Sequence, residues 1–140
     1  MNDAAIFDRF PRPPCADLLG WTLLDFDAAA GWAKLAFEGR REFLNPAGFV
    51  QGGMLAAMLD DSMGPAALLM SGGTRYTATI SMTVSYLAPA RPGRFIAEAR
   101  VLQLGKTVAF LESSLADASG VTVARATASA RLVPVERLAA

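Results

Sequence analysis

The spacing of hydrophobic positions changes twice along this 140-residue chain, from a strand pattern to a helix pattern and back. Residues 32–37 alternate large apolar side chains with small or polar ones, which predicts a half-buried strand. Residues 21–26 form a second strand, joined to it as a hairpin by the turn at 27–31. Residues 51–70 are rich in Ala, Leu and Met, which predicts one long helix. Four more strands are predicted after it, at 76–87, 94–104, 107–116 and 121–133.

This order, a hairpin, one helix and then four strands, predicts an α+β fold in which an antiparallel meander wraps one helix. The length indicates a single domain over residues 1–140, with residues 1–19 as an N-terminal extension. Within this extension we expect a short helix at 3–10 and then an extended connector, since prolines occupy positions 11, 13 and 14. Pro65 lies inside the long helix, where it predicts a kink or an early end.

Alternation also assigns the two faces of the strand at 76–87. One face is predicted to carry Ile80, Met82, Val84 and Tyr86. The other is predicted to carry Thr79, Ser81, Thr83 and Ser85.

Two acids interrupt the apolar helix, and they are the clearest candidates for chemistry. Asp60 and Asp61 lie midway in a segment without another charge between Glu42 and Arg75. A carboxylate in such a segment costs free energy unless it is paired, hydrogen-bonded or solvated. Either acid could serve a reaction, and either could instead be a structural or solvated neighbour.

Composition then narrows the kinds of chemistry. The chain has no histidine, which excludes Ser-His-Asp and Cys-His nucleophilic sites and histidine-based zinc sites. Its formal net charge is zero, so the basic footprint of a nucleic-acid-binding protein is absent. The single cysteine, Cys15, fits a reducing compartment. The start of the chain lacks the apolar core of a signal peptide, and the acids and glycines of residues 43–70 disfavour a membrane span. We therefore expect a soluble, cytoplasmic protein.

Two motifs carry a family resemblance. The first is Asn45, then Gln51-Gly52-Gly53, then Leu59-Asp60; the second is Thr79-x-Ser-x-Thr-x-Ser-Tyr-Leu-x-Pro-Ala90. Together they resemble the hotdog-fold acyl-CoA thioesterases, in particular the phenylacetate-degradation and 4-hydroxybenzoyl-CoA branch. The resemblance covers about residues 20–134 and implies an antiparallel sheet around a central helix. The chain departs from the family at Gln51, where the usual residue is histidine.

The resemblance also implies roles for individual residues. Asp60 is implied as the nucleophile or general base, and the Gly52 backbone N–H as the donor to the thioester oxygen. Asn45 is implied as a second polariser, and Thr79 as a hydroxyl near the attacking water. A helix start suits the Gly52 role, because its free N–H groups carry a partial positive charge. Asn45 can equally be a turn residue and Thr79 an ordinary strand residue.

A second set of residues is expected to contact the substrate rather than to react. Gln51, Gly53 and Asp61 border the implied catalytic residues, although Gln51 can also cap the helix and Asp61 can be the acting acid. Lys106 lies in a tight turn that resembles the basic turn meeting the CoA phosphates. Arginines at 75, 91 and 94 are further candidates for those phosphates, and each of these cations can instead be a solvated surface charge.

The spacing within the helix suggests how the site is assembled. Gly52 and Asp60 are eight residues apart, which is about 12 Å of rise along a helix. One thioester carbonyl cannot span that distance. We therefore expect a homodimer in which antiparallel helices bring Asp60 of one chain to the helix start of the other. The family resemblance adds a homotetramer as an expectation.

These considerations lead to one main functional hypothesis and two rivals. The main hypothesis is hydrolysis of an acyl-CoA thioester to a free acid and CoA, with no metal and with no cofactor beyond the CoA of the substrate. The alternative is a non-catalytic module that binds acyl-CoA or a small apolar ligand, suggested by the missing histidine. A dehydratase or hydratase ranks last, since those hotdog enzymes rely on histidine. The identity of the acyl group stays open.

Overall fold

In a computed structural model, which describes residues 3–138, six strands form one antiparallel sheet and a long helix packs across it. The strand order is β1-β2-β4-β5-β6-β3, so β3 is one edge of the sheet and β1 the other. The strands are β1 (Thr22–Asp27), β2 (Trp32–Gly39), β3 (Arg75–Tyr86), β4 (Gly93–Leu104), β5 (Val108–Ala116) and β6 (Thr122–Pro134). The α-helices are α1 (Pro14–Leu19) and α2 (Gly52–Met70), and short 3-10 turns occupy Asp3–Arg9, Arg41–Phe43 and Val135–Arg137.

The core lies between α2 and the inner face of the sheet. The alternation on β4 is confirmed, because Phe95, Ala97, Ala99 and Val101 are all buried. Small alanines on β4 let the helix approach the sheet closely, and larger side chains fill the remaining space. The fully buried large side chains include Phe37, Phe95, Met58, Leu59, Leu111 and Leu115. The predicted α+β arrangement is therefore the observed one.

One helix was not predicted. Residues 11–14 were expected to form an extended connector, but α1 begins at Pro14. Proline is favoured at the first position of a helix, where its missing N–H would have no partner anyway. Gly20 ends the helix in a left-handed conformation with φ of 67°. The N-terminal extension is therefore folded onto the body of the domain, where Ala16 and Leu19 are buried.

The predicted early end of the long helix at Pro65 is wrong, and Trp21 provides a physical reason. Proline has no N–H to donate to the carbonyl four residues earlier, which here belongs to Asp61. The indole Nε1 of Trp21 donates to that carbonyl oxygen at 3.1 Å. The acceptor left free by Pro65 is thus satisfied from outside the helix, and α2 continues to Met70.

The predicted faces of β3 are also partly wrong, because the strand contains a bulge at Ile80. Thr79 pairs with Ala130 and Ser81 pairs with Ser129, so Ile80 has no partner of its own. Directly paired residues point to the same face of a sheet, and Met82 pairs with Ala128. Thr79 therefore shares the inner face with Met82 and Val84, instead of the outer face with Ser81. The bulge turns the Thr79 hydroxyl towards α2.

Candidate active site

Asp60 lies on α2 and is held by the inner face of β3. The Thr79 hydroxyl donates a hydrogen bond to Asp60 Oδ1, with 2.7 Å between the two oxygens. The second carboxylate oxygen remains available to a ligand or a water molecule. Thr79 reaches the acid because of the bulge at Ile80, and bulges commonly re-aim a side chain in this way next to functional sites. The structure thus brings together two of the residues that the sequence assigned to catalysis.

Both acids border a cavity of about 770 Å³ between α2, the start of β3 and the N-terminal extension. Its wall is mostly apolar and includes Phe7, Phe10, Trp21, Leu68 and Tyr76. The extension is fastened over this space, since Arg9 donates to the Gly73 carbonyl at 2.9 Å and Phe7 packs edge-on against Trp21. A carboxylate beside a large apolar cavity is the arrangement expected of a binding pocket with a reactive group.

Asp61 occupies a different environment from its neighbour. Burial and, to a smaller extent, the nearby Asp60 charge together raise the pKa of Asp61 to about 6, while Arg12 acts in the opposite direction. Its Oδ2 atom is buried and has no hydrogen-bond partner among the described residues. An unpartnered buried carboxylate oxygen favours the protonated form of the side chain. The predicted substrate contact by Asp61 stays a prediction, and its position on the cavity wall is compatible with it.

The raised pKa of Asp61 makes a prediction about stability. Because Asp61 binds a proton more readily in the folded chain than in the unfolded one, its protonation stabilises the fold. This stabilisation is complete below about pH 4 and is lost as the pH rises through about 6. We expect Asp61→Asn to increase the free energy of unfolding at pH 8 by about 1 kcal/mol, since solvent screening at this partly exposed group reduces the full effect. Urea unfolding at pH 8 and pH 4.5 measures it. Equal stability of both proteins at pH 8 would contradict the prediction.

The start of α2 offers free backbone donors. Within residues 3–138, neither the Gly52 N–H nor the Gly53 N–H donates to another protein group. An added Cβ on Gly53 would meet nothing within 4 Å, so the space beside it is open. Free N–H groups at the positive end of a 19-residue helix can receive a polarised carbonyl oxygen. The predicted donor role of Gly52 is therefore geometrically available.

Asn45 has more local contacts than the resemblance implies, whereas the Gln51 side chain makes no capping contact. The Asn45 side-chain oxygen accepts hydrogen bonds from the backbone N–H groups of Ala47 at 3.0 Å and Phe49 at 3.1 Å. This is the turn role considered from the sequence. It leaves the side-chain NH₂ group of Asn45 to polarise a substrate. Gln51 is the N-cap residue by position, but its exposed side chain makes no capping hydrogen bond. It stays free to contact a ligand.

The basic turn between β4 and β5 is built partly by one of the candidate arginines. Arg75 Nη1 donates to the Lys106 carbonyl at 2.8 Å and to the Gly105 carbonyl at 3.2 Å. Arg75 therefore supports the turn, while the Lys106 side chain is exposed. Arg91 stacks over the Phe49 ring, with 5.4 Å from its guanidinium carbon to the ring centroid. Lys106 thus remains a candidate contact for a phosphate.

Tyr86 is the residue that the sequence reasoning missed. It ends β3, and its hydroxyl donates to the Gly52 carbonyl oxygen at 2.7 Å. An added Cβ on Gly52 would lie 3.1 Å from Tyr86 Cζ, closer than an ordinary contact, so a side chain there would displace the ring by a few tenths of an ångström. The predicted face that carries Met82 and Val84 correctly included Tyr86, but no spacing rule links Tyr86 to a helix start 34 residues earlier. One strand thus contacts both Gly52 and Asp60.

The sequence and the fold can now be compared with known proteins. Residues 47–124 match the sequence profile of the thioesterase superfamily. A candidate esterase of Saccharolobus solfataricus is 30% identical over 99 residues, which cover 71% of this chain and 70% of that protein. A phenylacetic acid degradation-related protein of Ralstonia eutropha JMP134 has a TM-score of 0.82 and 32% identity, covering 94% of this chain and 99% of the other.

A protein of Streptococcus mutans UA159, solved with bound acetyl CoA, shares the fold at a TM-score of 0.72 and 19% identity. That match covers 81% of this chain and 89% of the other. These likenesses confirm the predicted hotdog fold and the phenylacetate-degradation-like branch.

Two further observations concern the described residues alone. In residues 3–138, no helix has the length and apolar character that crossing a membrane requires. The same part of the chain holds no group of three or more Cys, Asp or Glu side chains arranged as a metal site.

The sequence profile, the relative from Saccharolobus and the Ralstonia structure agree with one another, and the chain belongs to the thioesterase superfamily.

Proposed function

We propose that this protein hydrolyses acyl-CoA thioesters to a free acid and CoA. The observation that carries the proposal is the Asp60 carboxylate, held by Thr79 beside the apolar cavity. A thioester needs a nucleophile, or a base that activates water, together with donors for the developing oxyanion. Asp60 supplies the first requirement and the free N–H of Gly52 the second. Membership of the thioesterase superfamily supports the same reaction.

The shape and charge of the site suggest where the acyl group and the CoA portion of the substrate bind. The acyl group enters the cavity beside Asp60, where aromatic and aliphatic side chains remove it from water. The CoA portion extends outward, and exposed Lys106 is the proposed contact for its phosphates. The acetyl CoA bound by the Streptococcus mutans protein of the same fold supports CoA as the carrier. Asn45 can contribute only its side-chain NH₂ group, since its side-chain oxygen accepts hydrogen bonds from the loop.

The active site is proposed to lie between two copies of this chain. Gly52 and Asp60 are separated along α2 by about 12 Å, which one carbonyl cannot bridge. Among residues 3–138, the edge strand β3 has no partner on one side, and it exposes Ile80 and Tyr86 together with the following residue, Leu87. Apolar side chains on an unpaired edge favour association with another strand. A dimer formed there would bring together residues from both α2 helices, and pairing to a tetramer is compatible with it.

A thioester panel tests the proposed reaction. Purified protein is mixed with acetyl-, hexanoyl-, decanoyl-, benzoyl- and phenylacetyl-CoA, and released thiol is measured with a chromogenic disulfide. We expect turnover of at least one ester, because the carboxylate and the backbone donors suit this chemistry. Calorimetry with the same esters runs in parallel. Binding without thiol release from any ester would favour the non-catalytic module, and the absence of both would reject acyl-CoA as the ligand.

A further inference from the structure

We propose that Tyr86 is a positioning residue for the hydrolysis, and that it acts by holding the Gly52–Gly53 peptide at the start of α2. This inference rests on the proposed function. Its structural basis is independent of the acid, because the Tyr86 hydroxyl bonds the start of the helix at Gly52, eight residues before Asp60. The two contacts of Tyr86 with Gly52 are a hydrogen bond and a close steric approach.

The hydrogen bond from Tyr86 affects both the orientation and the donor strength of the Gly53 N–H. The Tyr86 hydroxyl donates to the Gly52 carbonyl at 2.7 Å, and that carbonyl belongs to the same peptide unit as the Gly53 N–H. A bond accepted by the carbonyl polarises the peptide, so its N–H becomes a better donor. It also fixes the peptide plane, which otherwise has the freedom typical of two successive glycines.

The ring adds a steric limit to the same segment. An added Cβ on Gly52 would lie 3.1 to 3.3 Å from three Tyr86 atoms, so the ring borders the space into which a side chain at Gly52 would extend. Gly53, by contrast, has nothing within 4 Å of the equivalent position. The ring thus closes one side of the helix start and leaves the other side open. A thioester oxygen approaching from the open side would meet N–H groups already in place, as an oxyanion site requires.

β3 therefore carries a supporting hydroxyl for each half of the site. Thr79 holds the carboxylate of Asp60, and Tyr86 holds the backbone donors at Gly52. Both hydroxyls extend from the inner face of the same strand. Such supporting hydrogen bonds usually matter because they remove the need to reorganise the site in the transition state.

Tyr86→Phe tests the inference, since it keeps the ring and removes the hydroxyl. We expect kcat to fall about five- to tenfold on the best substrate of the panel, the effect of losing about one neutral hydrogen bond in the transition state. KM should change less than about twofold, because the ground-state contacts of the acyl group are untouched. Ser85→Ala, the adjacent substitution on the outer face of β3, is the matched control and should leave both constants unchanged.

A double substitution separates positioning from a purely structural role. Gly53→Pro removes the Gly53 N–H of the peptide that Tyr86 holds, and the space beside Gly53 is open to an added side chain. In that background Tyr86→Phe should lower kcat much less than in the wild type. An unchanged kcat in the single variant, or a lower melting temperature with normal kcat, would overturn the inference. If the wild type hydrolyses no ester, the proposed function fails instead, so the two failures are distinguishable.

Discussion

Asp60→Asn is expected to lower kcat for thioester hydrolysis about 1000-fold, the typical loss when a positioned base or nucleophile is removed. The substitution keeps the size of the side chain and its oxygen acceptor for the Thr79 hydroxyl, so the local packing at α2 should persist. The amide, however, cannot take up a proton or form an acyl intermediate at neutral pH. Thiol release at a saturating concentration of one ester measures the loss in kcat. Calorimetry with the same ester should still detect binding.

The adjacent acid provides the control for this experiment. Asp61 lies next to Asp60 and borders the same cavity, but it lacks the Thr79 contact. If Asp60 is the acting group, Asp61→Asn should change kcat much less than Asp60→Asn. The reverse order would transfer the catalytic role to Asp61, and near-normal activity of a folded Asp60→Asn protein would reject the assignment of Asp60.

The order of elements was predictable because it depends on local patterns. Alternation on β2 and β4 and the Ala-, Leu- and Met-rich segment of α2 each contain enough information to define an element. The strand boundaries agree with the structure to within one or two residues. A family resemblance in two short motifs then supplied the hotdog fold, which periodicity alone would have left as an α+β meander. The expectation of one domain over 1–140 stays a prediction.

Two of the errors share one physical cause, which is that distant residues decided the local outcome. Pro65 would end an isolated helix, but the indole of Trp21, just before β1, supplies the missing donor. The bulge at Ile80 is visible only in the pairing of β3 with β6, and it reverses the face of Thr79. Strict alternation therefore grouped Thr79, whose hydroxyl contacts Asp60, with Ser81 and not with Met82.

The candidate site was predictable only as a set of residue types. The motif singled out Asp60 and Gly52, and the structure brings Thr79 to Asp60, although the resemblance implied only a hydroxyl near the attacking water. The motif could not reveal that the Asn45 side-chain oxygen is bonded by its own loop, or that Tyr86 supports Gly52. Both facts depend on how a loop and a strand end fold against the helix start. The roles assigned to Gln51, Gly53, Asp61 and Lys106 stay predictions.

The shared site predicts that two inactive variants restore activity when they form one dimer. Gly52→Pro removes the backbone donor, and its backbone is compatible, because proline suits the first position of a helix and Gln51 before it has a ψ of 135°. The Tyr86 ring must move a few tenths of an ångström to accept it. We expect this variant alone to lose about 100-fold in kcat, as measured for oxyanion donors in other enzymes.

Asp60→Asn and Gly52→Pro chains are then co-expressed with different affinity tags and purified through both. In a shared arrangement, one site of the mixed dimer has both lesions and the other has neither, so about half of the wild-type activity per dimer should return. If each chain forms its own site, both sites carry one lesion and the mixed dimer is inactive. A doubly tagged Asp60→Asn dimer is the control for tag effects, and sedimentation of each sample establishes that two chains are present. A monomer at micromolar concentration would contradict the shared site directly, because Gly52 and Asp60 of one helix lie too far apart to act on one carbonyl.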